Sequence, residues 1–92
     1  MTAYPNCKGF QQITSLSSAT ALTVPAGSDY AVIHCETQNV RWRDDGTSPT
    51  TTVGMILPAG SELEYEGPLS VIKFIEVTAS AVLNITFYAK TF

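Results

Sequence analysis

The sequence is poor in basic residues, histidine and cysteine, and each shortage narrows what the chain can do. It has five lysines and arginines in all, against eight acids, for a net charge of −3. Only Arg41 and Arg43 lie close together, so there is no basic stripe to displace counterions and no nucleic acid is expected as a partner. No apolar run approaches the ~20 residues that cross a bilayer, so no membrane partner is expected either. The opening residues, Met1 to Lys8, contain no apolar leader segment, and the chain is expected to be made and first folded in a cytosol. Cys7 and Cys35 are far apart and outside any C-x-x-C, so free thiols are expected there. One His and two Cys do not supply the ligands of a structural zinc site, and no cofactor or metal is expected.

Charged residues make up 14% of the chain, which suits a protein that covers itself with neighbours, and equally a neutral Thr/Ser-rich β-surface. With 92 residues the chain is one domain with one thin core, a size that gains from docking on a partner.

The dominant period is two. Val40 to Arg43 alternates, as does Glu62 to Glu66, and Leu83, Ile85 and Phe87 share a face opposite Asn84, Thr86 and Tyr88. No long segment has a helical period. Turn residues recur at Pro25–Ser28, Asp44–Pro49, Pro58–Ser61, Gly67–Pro68 and Thr78–Ala81, and Thr37–Asn39 reads as a hairpin closing into Val40. Strands are predicted at 11–16, 19–24, 30–36, 40–43, 50–57, 62–66, 69–77 and 82–89. The expected fold is all-β: a small antiparallel β-sandwich or jelly-roll-like domain of about seven or eight short strands over residues 11–92, preceded by an N-terminal arm at 1–10. Its core is expected to hold Val32 or Ile33, Cys35, Trp42, Leu63, Ile72, Phe74, Leu83, Ile85 and Phe87. Val24-Pro25-Ala26-Gly27-Ser28 is echoed by Leu57-Pro58-Ala59-Gly60-Ser61, either as two common turns or as equivalent corners of a two-sheet sandwich.

Catalytic equipment is sparse. His34 lies in an apolar strand with no G-x-S-x-G or other nucleophile motif to serve. Asp44-Asp45-Gly46 offers calcium too few oxygens and reads as a tight turn. Glu62, Glu64 and Glu66 at period two read as a solvated strand face or a protected edge rather than a glycosidic carboxylate pair. Arg41 and Arg43 are expected to project together opposite Trp42, either into an interface that accepts their planar forks or into local ion pairs. The expected reading is a non-enzymatic binding or assembly protein.

Several segments carry a family resemblance. They are Val40-Arg41-Trp42-Arg43-Asp44-Asp45-Gly46-Thr47 with Pro49-Thr50, Val53-Gly54-Met55, Leu57 with Ala59-Gly60, Leu63-Glu64-Tyr65 with Gly67 and Leu69, Ile72-Lys73-Phe74-Ile75, and Ala79-Ser80-Ala81 with Leu83-Asn84 and Phe87-Tyr88. Together they resemble small structural proteins of tailed bacteriophages, over roughly residues 20 to 90. The resemblance implies a virion component, within which a capsid decoration (cement) protein is favoured. Its implied partners are the major capsid protein and copies of itself, on the capsid surface. Tyr4 and Phe10 on the arm, with Arg41 and Arg43 from their shared strand face, are the expected interface residues. The alternatives are a receptor- or glycan-binding knob using Tyr65, Tyr88 or Phe92, and a minor tail or adaptor protein.

Overall fold

The protein is described from a computed structural model, over residues 6–89. Those residues form eight strands and no helix: β1 (Asn6–Ile13), β2 (Thr20–Ala21), β3 (Tyr30–Glu36), β4 (Val40–Arg43), β5 (Met55–Leu57), β6 (Glu62–Tyr65), β7 (Lys73–Glu76) and β8 (Val82–Ala89). They make two four-stranded antiparallel sheets, in the orders β1-β8-β3-β6 and β2-β7-β4-β5. First strand pairs with last, second with seventh, third with sixth and fourth with fifth. This is an antiparallel ribbon rolled on itself, and the sandwich is jelly-roll-like.

Alternation along the strands fills the space between the sheets. Leu83, Ile85 and Phe87 on β8, Ile33 and Cys35 on β3, Phe74 and Val40 from the second sheet, and Ile72 just before β7 are all completely buried. Trp42 and Leu63 face the same core but are only partly covered. The sandwich thins at their end: Trp42 is paired with Phe74 on one side and with Met55, which is 61% exposed, on the other. Trp42, expected within the core, is therefore packed against it and partly exposed.

The two echoed segments are equivalent corners. Each carries the chain from the second sheet into the first, β2 to β3 and β5 to β6. In both, the serine N–H donates to the proline carbonyl, at 3.2 Å in Ser28–Pro25 and 3.1 Å in Ser61–Pro58. Gly27 and Gly60 have φ of 83° and 85°.

Three expectations are corrected. Residues 6–10 are not an arm but the first half of β1, paired with β8 from Asn6↔Ala89 onward. A bulge between Cys7 and Gly9 breaks the period-two pattern there and disguises the strand. Residues 1–5, and with them Tyr4, lie outside the described residues. Thr37–Asn39 does not close a hairpin, because β3 and β4 belong to different sheets and the segment crosses between them. Strands also end early where a polar group takes the backbone: Thr50 Oγ1 accepts from the N–H groups of Thr52 and Val53, leaving only Met55–Leu57 of the strand expected over 50–57.

The outward face of the second sheet places two cations on adjacent strands. Arg43 and Lys73 are directly opposite, and Arg43 is paired with Asp45. Lys73→Glu puts a second acid beside that pair and is expected to leave unfolding stability within about 0.5 kcal/mol of wild type, read from urea titration.

Candidate functional site

Four strands lie at sheet edges, β1, β6, β2 and β5, and each is a potential template for another chain. β1 is flanked by residues 23–27. The Thr23 N–H donates to Gln11 Oε1 at 2.9 Å, and the Pro25 ring sits where a Cβ on Gly9 would come within 3.1 Å. β6 is protected by the exposed carboxylates of Glu62 and Glu64. β2 is two residues long. β5 alone is both neutral and apolar, and it leaves Met55 61% and Ile56 42% exposed. Val53, just before it, is 52% exposed. Phe10, on the outer face of β1 opposite Thr86, is the remaining large exposed hydrophobe among the described residues.

Val53 and Met55 border a shallow groove of about 400 Å³. With Gly54 they form one wall, and Arg43, Asp44 and Asp45 form the other. Arg41 holds the first wall in place. Its Nε donates to the Thr51 carbonyl at 3.1 Å and its Nη1 to the Gly54 carbonyl at 2.8 Å. Gly54 has φ of 143°, and a Cβ there would meet Arg41 Cβ at 3.1 Å and the Trp42 carbonyl at 3.2 Å. Only glycine lets the loop lie this close to β4.

The second wall is fixed by charge and by a tyrosine. The Arg43 guanidinium donates to both oxygens of Asp45, and this pairing holds the Asp45 carboxyl below its usual range. Asp45 Oδ1 also accepts the Thr47 N–H at 3.3 Å, which closes the turn. Asp44 is held from behind: buried Tyr65 donates its hydroxyl to Asp44 Oδ2 at 2.6 Å, and its ring stands edge-on to Trp42 at 6.0 Å. Burial, then the Asp44 contact, raises the Tyr65 hydroxyl pKa well above its ordinary value.

That shift has a sign. Above pH ~10 the unfolded chain releases this proton while the folded chain keeps it. Stability is therefore full below that pH and falls as pH rises through the folded pKa. Tyr65→Phe is expected to remove this alkaline loss, seen as a flatter plot of melting temperature against pH above ~10.

The residues singled out from the sequence fall into place unevenly. Arg41 and Arg43 do share the outward face of β4, but both forks are engaged within the chain, on loop carbonyls and on Asp45. Tyr65 is buried and is not an exposed aromatic for a ligand; Tyr88 is half-buried beside Tyr30, with ring centroids 6.2 Å apart; Phe92 lies outside the described residues. Val53, Met55 and Ile56 were missed. Met55 in a three-residue strand reads as core by alternation with Leu57, and no local signal reports that the sheet ends there.

The remaining titratable groups do not converge. His34 Nδ1 lies 3.9 Å from Glu62 on an open sheet face. The buried Cys35 thiol donates to the Gln38 carbonyl at 3.0 Å, and burial pushes its pKa up. Among the described residues no three His, Cys, Asp or Glu side chains come together to hold a metal ion. No family, no curated protein and no solved structure matches the chain.

Proposed function

We propose that this chain is a non-enzymatic structural component of a tailed-bacteriophage particle, a capsid decoration protein that docks on the major capsid protein at the head surface. The observation that carries the docking half of this reading is the pair of exposed apolar side chains, Val53 and Met55, on one groove at the neutral, apolar β5 edge. Aliphatic side chains this exposed on so small a domain lose water favourably against a partner, at ~25 cal/mol per Å² of apolar surface covered. The groove wall of Arg43, Asp44 and Asp45 supplies a polar rim. The virion half rests on the sequence resemblance to small phage structural proteins. In this reading Arg41 positions the docking loop and Arg43 shapes its rim, in place of two forks reaching into a partner.

The test is binding to undecorated capsids. Val53→Ser with Met55→Ser is expected to weaken incorporation by roughly tenfold or more, since interface anchors each contribute about 1–2 kcal/mol. Its melting temperature is expected to stay close to wild type, because both side chains are already exposed. A double variant that decorates capsids with wild-type affinity sinks the site. Absence of the wild-type chain from purified particles sinks the virion assignment.

A further inference from the structure

The outer faces of the two sheets carry opposite charge. On the β1-β8-β3-β6 sheet, the outward residues of β3 and β6 include Glu36, Glu62 and Glu64, with His34 among them. On the β2-β7-β4-β5 sheet, the outward residues are Arg41, Arg43, Lys73, Ile75 and Ile56, with Asp45 folded back onto Arg43. Each face also has apolar ground beside its charges: Phe10 and Val32 share a cross-strand row with Thr86 and Glu64 on the first, and exposed Ile56 lies beside Arg41 on the second.

We propose that copies of this chain associate face to back, the acidic outer sheet of one copy lying on the basic outer sheet of the next. The proposal rests on the reading of the chain as an assembly protein and names the surfaces by which neighbouring copies touch. Carboxylates from one copy then face Lys73 and Arg41 of its neighbour, Arg43 staying on its own Asp45, and Phe10 and Val32 cover Ile56. Such a contact is heterologous, so a row of copies keeps one unused face of each kind at its two ends and grows until it closes on itself or is capped. Its attraction is electrostatic across a sheet-sized surface, and salt weakens it.

Sedimentation velocity of the intact protein tests this. Wild type is expected to show a concentration-dependent rise in sedimentation coefficient at low salt that is lost at high salt. Glu62→Lys with Glu64→Gln breaks the acidic face, and Lys73→Glu breaks the basic face; each is expected to weaken self-association roughly tenfold or more. An equimolar mixture of the two variants is expected to form one-to-one pairs that grow no further, because each variant retains the face the other has lost. Melting temperatures near or above wild type confirm that both are folded. A wild-type protein that stays monomeric at every concentration and salt overturns the proposal, as does a mixture of folded variants that fails to pair. Val53→Ser with Met55→Ser is expected to keep self-association while losing capsids, so capsid docking and copy-to-copy contact fail separately.

Discussion

Phe87→Ala is expected to be the most damaging single substitution, costing ~3–5 kcal/mol. Phe87 is completely buried at the middle of the first sheet. Its cross-strand partners are Gly9 on β1 and Ala31 on β3, neither of which has a side chain able to move into the space. The cavity therefore stays open, and the cost falls at the upper end for an aromatic truncation. A domain this short has about 5–14 kcal/mol in total, and each kcal/mol is worth roughly 4–8 °C of melting temperature. The check is a urea titration in which the midpoint falls and the slope holds. A loss under ~1 kcal/mol would mean the layer repacks and that Phe87 is not its keystone.

Removing residues 2–9 is expected to lower stability by ~3 kcal/mol or more. The deletion takes the pairings of Asn6, Cys7 and Gly9 with Ala89, Tyr88 and Phe87, and ladder hydrogen bonds are worth ~1 kcal/mol each. It also uncovers the edge of β8 that lies over Phe87. Phe10→Ser is the control: that side chain is 64% exposed, and its loss is expected to stay within ~0.5 kcal/mol. A truncated protein that melts with the full-length chain would return residues 6–9 to the role of an arm.

The period-two pattern made most of the fold legible. Leu83, Ile85 and Phe87 are the buried face of β8, and Ile33, Ile72 and Phe74 join them. Pattern reasoning failed where geometry breaks the period. The extra residue at the β1 bulge puts Cys7 and Phe10 on one face although they are three apart, so no alternation marks the strand. The site was less legible than the core. Alternation correctly sent Arg41 and Arg43 outward, but what their forks meet depends on where the 44–54 loop returns. The Thr51 and Gly54 carbonyls reach Arg41 across ten and thirteen residues of sequence, a distance at which no spacing rule operates. Tyr65 sits on a strand of alternating glutamates and looks like any surface aromatic until Asp44 and Trp42 close around it.

The rolled ribbon also dictates an order of closure. β4 and β5 are separated only by the 44–54 loop and can meet first, whereas β1 and β8 must find each other across almost the whole chain. Each successive pair outward from that tip closes a longer loop, at an entropic cost that grows with the logarithm of its length. A ribbon of this kind zips from its tip toward its ends and belongs with the slow, non-local folders of the millisecond-to-second range. β8 lies inside the first sheet, between β1 and β3, yet it is the last of the eight strands to be synthesised. Until it leaves the ribosome, β1 and β3 have no common neighbour, and the first sheet waits as two separated halves.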